Sequence, residues 1–410
     1  MEKVQNLVEA SLYSDRYELS IEQLGKGNTT NILFMLKLEN RKTPEKKPIT
    51  YVLKSYKDYM ESIEPAILEV LVKNNFPNTP KIYGKIKIKG LDIIGIIEHV
   101  HNRGNLGDIY WTEVNEMVNE VFKNIKDFPE FEDEIEIFTL IKKYFMDTLQ
   151  VSETIGEYIN NLHNSLILKD DNNYNLETVD SDSYLKNYSE NLNVMISEIQ
   201  KNLREHAEKG FYNLPKINSI LIDIKDIIEK FRHEFKEPMI RIQPVHQDLH
   251  MEQILYEKSN GDYQFYFIDF EGDPQLSIEE KKGKFPIEKD ISSFLRSLSY
   301  IKFNTFLEFI EKRIIKPTKI EVAEEILYSI FFRKAAISKN KILGVVLSTL
   351  NVWEEKLMAK FLKILKPNII LTNFFTIQRA LYELHYEILF RPGKIIVPLL
   401  GLKEIIDKYS

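Results

Sequence analysis

Asp248, Gln253 and Asp269 stand close together in this chain, in Val245-His246-Gln247-Asp248-Leu249-His250-Met251-Glu252-Gln253 and the following Phe267-Ile268-Asp269-Phe270-Glu271-Gly272. A carboxylate on a loop can accept a hydrogen bond from an alcohol and take its proton late in a transfer. An amide oxygen and a second carboxylate are hard ligands suited to magnesium. Phosphoryl transfer from ATP to a hydroxyl asks for such an acid and such ligands. Asp248 is therefore the expected catalytic acid-base group, and Gln253 and Asp269 are the expected metal ligands. Taken singly, each acid reads as well as an ordinary turn residue; the three together, between apolar runs, point to a site. His246 is expected to support the loop by hydrogen bonding. His250 is expected either to do the same or to touch the acceptor.

Other elements must bring ATP to these groups. Tyr17–Leu24 and Asn31–Leu38 read as strands around Gly25-Lys26-Gly27-Asn28-Thr29-Thr30, a hairpin whose backbone N–H groups can cover phosphates or form a plain turn. Ile49–Lys54 is a third strand. Glu64–Asn74 has helical apolar spacing, with Pro65 near its start. Lys81–Ile88 and Leu91–Val100 are two further strands joined at Lys89-Gly90. The order β-β-β-α-β-β is that of a protein-kinase-like N-lobe. Lys54 at a strand end can reach ATP phosphates as a point charge. Glu69 on the helix is its expected ion-pair partner, with Glu64 as the rival. Glu98 and Val100, at the end of the fifth strand, offer backbone groups that can read the adenine edge.

After residue 100 the pattern turns helical at Trp111–Phe122, Glu134–Tyr144, Val151–Leu166, Tyr184–Glu205 and Leu214–Phe235, with a polar loop over 170–184. The strand-rich segment 241–271 interrupts the helices, which resume from Asp290. The expected fold class is thus α+β: a bilobal protein-kinase-like (aminoglycoside-phosphotransferase-like) fold. Residues 1–100 form a mixed N-lobe with a β-sheet and one main helix. Residues 101–410 form a mostly helical C-lobe carrying the catalytic loop, 245–273.

Composition narrows the alternatives. The hydrophobic fraction of 43% and charged fraction of 29% belong to a globular chain. A net charge of −7 with no basic tract disfavours nucleic acid and anionic membrane as partners. The absence of cysteine excludes disulfides, Cys-ligated zinc and thiol catalysis, and fits a reducing cytoplasm. No signal peptide or membrane-spanning segment is expected.

The motif HQDLHMEQIL…FYFIDFEGDP resembles the catalytic loop of aminoglycoside-phosphotransferase-like kinases and, within them, the maltokinases, which show H-G-D-L-H-x-x-Q-[VI]-L and then I-D-F-E-G-[ED]-P. Ile97-Glu98-His99-Val100-His101-Asn102 resembles the maltokinase hinge. Lys289-Asp290-Ile291-Ser292-Ser293-Phe294-Leu295-Arg296-Ser297 resembles D-V-A-G-M-L-R-S. Tyr382-Glu383-Leu384-His385-Tyr386-Glu387 with Arg391-Pro392 and Val397-Pro398-Leu399 resembles Y-E-x-x-Y-E…R-P…I-P-L. The resemblance spans roughly residues 50–400. It implies ATP and Mg2+ as cofactors and maltose as acceptor, phosphorylated at its anomeric hydroxyl. It implies substrate contacts at His250, Arg379, Tyr382, Glu383 and Tyr386. Gln247 stands where the family has Gly, so a different loop backbone is expected there. Gln378-Arg379 replaces Asp-Lys, and Gly393-Lys394 replaces Asp-Trp. These departures leave open another small acceptor (glucosamine, another sugar, an aminoglycoside or a choline-like alcohol) and, in another class, a non-catalytic nucleotide-binding module.

Overall fold

The computed structural model describes residues 17–24, 31–56, 61–127, 134–206, 214–259, 262–314, 326–327 and 341–409. The Gly25–Thr30 turn lies outside these residues.

The β-rich part is an antiparallel sheet of β1 (Tyr17–Leu24), β2 (Ile32–Asn40), β3 (Ile49–Ser55), β4 (Ile82–Ile88) and β5 (Leu91–Glu98), in the spatial order β1-β2-β3-β5-β4. Period-two alternation puts Val52 and Lys54 of β3 on one face, where both border the same cavity. The connection from β3 is α1 (Glu64–Lys73), opened by Pro65 in its first turn and burying Ile67, Leu68 and Leu71.

The rest is mainly helical. A capping box of Asn105 and Asp108 starts α2 (Leu106–Lys123) earlier than its apolar spacing alone indicates; such a cap stabilises a helix by about 1 kcal/mol. Then come α3 (Glu134–Ile141), α4 (Met146–Ser165), α5 (Ser181–His206) and α6 (Leu214–Glu234). Two-residue strand β6 (Gly104–Asn105) joins β9 (Ile254–Ser259) and β10 (Asp262–Phe267) in a three-stranded sheet. The polar segment at 170–184, expected to be loop, contains β7 (Glu177–Asp180), paired antiparallel with β8 (Met239–Ile242). After one helical turn, α7 (Ile278–Lys281), come α8 (Glu288–Phe309), α9 (Lys341–Leu365), α10 (Ile369–Phe390) and α11 (Ile396–Tyr409). Among the described residues, no helix is long and apolar enough to cross a membrane.

Two apolar clusters hold this arrangement. One joins α1 to α2, α4, α8, α9 and the β9–β10 strands. The other packs α5 and α6 against α10 and α11. The segment after α1 also docks on β10: the Phe267 N–H donates to Asn78 O (2.8 Å), and Asn78 Nδ2 donates to Phe265 O (2.9 Å). This anchorage fixes the end of β10, two residues before Asp269, against the helix that follows β3.

Candidate active site

One cavity of about 970 Å³ is bordered by Lys54, Glu98, Val100, Asp248, His250, Gln253, Asp269, Arg379, Tyr382, Glu383 and Tyr386. These are all of the expected catalytic, nucleotide, metal and substrate residues except Glu69; the rival Glu64 borders it too. Leu33, Val52, Leu255 and Ile268 give the cavity an apolar part, as a flat nucleobase would require.

The Asp248 loop is held from behind by a buried acid. Asp290, fully buried on α8, accepts hydrogen bonds from the His246 N–H (2.8 Å), the Gln247 N–H (2.7 Å) and His163 Nε2 (3.0 Å). Burial pushes its carboxyl up, but His163 and the loop donors outweigh burial and hold it below its ordinary value. His246 Nε2 lies 2.9 Å from Ile268 O and its ring packs on Phe270, so the histidine ties the Asp248 loop to the Asp269 loop. The sequence placed Asp290 in a family-like segment without a role. Replacing it with Ala should destabilise the fold by about 2–4 kcal/mol, since it strands several buried donors. Chemical denaturation measures this, and an unchanged midpoint would remove Asp290 from the loop's support.

Gln247 has φ +72°, a left-handed conformation that glycine reaches without strain. Gln247 thus sits in a conformation that a glycine would reach without a side-chain penalty. Its side chain supplies compensation: Nε2 donates to Lys281 O (2.7 Å), and Oε1 accepts from the Asp273 N–H (3.3 Å).

Lys54 is 5% exposed and faces three carboxylates: Glu64 at 2.9 Å, Asp269 at 2.5 Å and Glu271 at 2.6 Å. Burial lowers the tendency of this amine to carry charge, but Asp269, Glu64 and Glu271 more than offset it, so its pKa is raised. Glu69 is not its partner. At about 100° per residue, Glu69 lies about 140° around α1 from Glu64. Its side chain is 50% exposed and pairs with Lys85 at 3.1 Å, whereas Glu64 is 2% exposed. Glu64 also accepts from the Phe270 N–H (3.1 Å), so one carboxylate orients Lys54 and the Asp269 loop together. Glu64→Gln should lower kcat/KM for ATP by about tenfold or more, the loss of a buried charge-assisted contact. Glu69→Ala should leave it within about twofold, as surface pairs do. Equal effects in steady-state kinetics would overturn this assignment.

Asp269 has φ +67°, one residue beyond Ile268. Burial pushes its carboxyl up, but Lys54 outweighs burial and holds it well below the usual carboxylate range. The Gln253 amide lies against it, with Nε2 3.0 Å from Oδ2. Both side chains border the cavity, where a metal ion would draw on the Gln253 amide oxygen and an Asp269 carboxylate oxygen. Among the described residues no cluster of three His, Asp or Glu side chains forms a metal cage. Such a sparse donor set fits Mg2+, which keeps waters and completes its shell with phosphate oxygens. Glu271, within the motif but given no role by sequence, is pushed up to about 7 by burial, with Lys54 opposing and the neighbouring acids adding; Asn31 Nδ2 donates to it.

At the hinge, the Glu98 N–H is already donated to Lys81 O (2.8 Å), and Val100 O accepts from Asn102 Nδ2 (3.1 Å). An adenine contact by Glu98 would therefore use its carbonyl.

On the opposite wall, Arg379, Tyr382, Glu383 and Tyr386 share one face of α10 by their three- and four-residue spacing. Arg379 Nη1 donates to Asp248 Oδ1, and its guanidinium sits 5.2 Å from the Tyr382 ring centroid. Glu383 is paired with Arg296 (2.9 Å) and lies 3.5 Å from Arg379. Gly401 of α11 leaves room for Arg296, since a Cβ there would stand 2.7 Å from the guanidinium carbon. His250 Nε2 lies 3.8 Å from Asp248 Oδ2; burial pushes its pKa down, with Asp248 opposing.

No protein-family model matches the sequence. Solved structures do share its architecture. A glucosamine kinase in complex with glucosamine, ADP and inorganic phosphate aligns over 95% of this chain and 95% of that one, with a TM-score of 0.61 and 10% identity. The fold is kinase-like. Crystal form A of a glucosamine kinase gives a TM-score of 0.57 at 12% identity, over 97% of this chain and 79% of that one. Crystal form B gives 0.55 at 12% identity, over 94% of each chain. In this kinase-like fold the cavity runs beside both the five-stranded sheet and the helical part.

Proposed function

We propose that the protein is an ATP-dependent sugar kinase that transfers the γ-phosphoryl group of ATP to a sugar hydroxyl, with maltose, giving maltose 1-phosphate, as the leading acceptor. The observation that carries this reading is one shared cavity bordered by Lys54, Asp269 and Gln253 as well as by Asp248 and the aromatic and carboxylate-bearing face of α10. Lys54 would contact ATP phosphates. Gln253 and Asp269 would hold Mg2+, which neutralises phosphate charge when bound. Asp248 would orient the acceptor hydroxyl and take its proton. Tyr382 and Tyr386 offer faces to a sugar ring, and Glu383 can accept from its hydroxyls. Residues 1–100 would form the nucleotide lobe and 101–410 the acceptor-bearing lobe.

The fold likeness to a glucosamine kinase bound to glucosamine and ADP supports a small-molecule phosphotransferase and keeps glucosamine as the second reading. A screen of maltose, glucose, glucosamine, trehalose and kanamycin with ATP and Mg2+, read as ADP release and phosphorylated product, tests both. Turnover with maltose above the others is expected. Preferential use of glucosamine would overturn the maltose assignment, and ATP binding without turnover of any acceptor would favour a non-catalytic module.

A further inference from the structure

Arg296 does not border the cavity, yet its contacts lead to the expected acid-base group. Its side chain, on α8, is 1% exposed, and among the described residues its acid partner is Glu383 of α10, with Nη2 2.9 Å from Oε2. Glu383 Oε1 in turn lies 3.5 Å from Arg379 Nε, and Arg379 Nη1 donates to Asp248 Oδ1. Cations and carboxylates thus alternate from α8 to the Asp248 loop. The far end of this chain of contacts is set by α11. At Gly401 a Cβ would stand 2.7 Å from the Arg296 guanidinium carbon and 2.8 and 2.9 Å from its two terminal nitrogens. Glycine inside a helix costs stability relative to alanine, and here the room it leaves is filled by the Arg296 head. At the near end, Asp248 Oδ2 lies 3.8 Å from His250 Nε2, beyond hydrogen-bond reach.

We propose that Arg296 is a positioning residue for the transfer: through Glu383 it holds Arg379 on Asp248 Oδ1, so that Oδ2 is the oxygen that meets the acceptor hydroxyl. The proposal rests on the sugar-kinase reading of the same cavity. In the step it serves, the acceptor oxygen bonds to the γ-phosphorus, the bond to the ADP oxygen breaks, and the hydroxyl proton passes to Oδ2. The terminal torsion of an aspartate is soft, so an unsupported carboxylate turns freely. A planar guanidinium on one oxygen fixes the direction of the other. Arg379 is itself a long side chain, and Glu383 supplies the second contact that holds it. Arg296, almost wholly buried, keeps Glu383 from turning away. A reacting group needs such support from residues that never touch the substrate. Each Glu383 oxygen keeps a lone pair for an acceptor hydroxyl, so this duty is compatible with a sugar contact.

Gly401→Ala tests this from outside the cavity. Alanine suits the α11 helix, so the added methyl displaces the Arg296 guanidinium rather than the backbone. With the acceptor that the wild-type protein uses, kcat should fall by about tenfold to 10²-fold, the effect of a displaced reacting group. KM for ATP and the thermal shift with ATP and Mg2+ should stay near wild type. Adding Arg296→Lys to Gly401→Ala should recover part of the loss, because an ammonium keeps the charge in less space. In an Arg379→Gln background Gly401→Ala should cost little further, since its effect runs through Arg379. Should the alanine variant not fold, Arg296→Lys takes its place in the same cycle. Near-normal kcat in Gly401→Ala would overturn the proposal and leave the kinase reading intact. So would losses that multiply independently in the cycle, or a fall in acceptor and ATP parameters alike that tracks a lowered melting temperature, which is what a merely structural arginine gives. If no acceptor turns over in the wild-type protein, the sugar-kinase reading fails by itself. The same cycle read as urea midpoints then decides whether Gly401 and Arg296 fix Arg379, with additive effects counting against it.

Discussion

Asp248→Asn should lower kcat with the acceptor by roughly 10²–10⁴-fold, the usual contribution of a positioned proton acceptor, while the affinity for ATP stays within about twofold. The asymmetry follows from the geometry. Asp248 contacts Arg379 and lies 3.8 Å from His250, whereas Lys54 is oriented by Glu64, Asp269 and Glu271. Asparagine keeps the size of the side chain and can still accept one hydrogen bond. It cannot take the hydroxyl proton, and it gives Arg379 no charge to pair with. The ATP-induced thermal shift should survive, which separates lost chemistry from lost folding. Near-normal turnover in this variant would end the assignment of Asp248 as the base.

The parts of this site legible in sequence are those carried by short-range spacing. Asp248, Gln253 and Asp269 lie within 22 residues of one another and emerge on one cavity. Lys54 was legible from its place at the end of a strand. Its partner was not. Both Glu64 and Glu69 fall on a helix whose apolar spacing shows that one stripe is buried, but a first-turn acid can turn inward past the stripe's edge, and only packing reveals that Glu64 does so. Asp290 was invisible as a loop anchor because the N–H groups it receives lie more than 40 residues earlier in the chain. Strand β7 was hidden for a related reason. It is mostly exposed, so it lacks the apolar alternation that marks a half-buried strand, and its partner β8 lies some 60 residues on. Arg379 entered as an acceptor residue through the resemblance at the C-terminal helix, but its placement on Asp248 joins residues 131 apart in sequence.

Asp269→Asn should abolish measurable use of ATP, with kcat/KM falling by about 10²–10³-fold or more, as expected when a group that stabilises transferring phosphate charge is removed. Two losses add at this position. The amide is a weaker Mg2+ ligand than the carboxylate and leaves Gln253 with no anionic neighbour at 3.0 Å. It also removes the charge that Lys54 meets at 2.5 Å, so the amine is left to Glu64 and Glu271, which can draw it away from the phosphates. The fold should tolerate the change, because two carboxylates still neutralise the buried amine and His246 still bonds the Ile268 carbonyl next door. The discriminating measurement is ligand-induced stabilisation. A nucleotide present at 100 times its Kd stabilises the native state by about 2.7 kcal/mol. That gain should appear with ATP and Mg2+ in the wild-type protein and in Asp248→Asn, and disappear in Asp269→Asn while the unliganded melting temperature stays near wild type. Chelation of Mg2+ in the wild-type protein should reproduce most of the loss. A stabilisation by ATP that survives in Asp269→Asn and still responds to chelation would place the metal on other ligands and dissolve the pairing of Asp269 with Gln253.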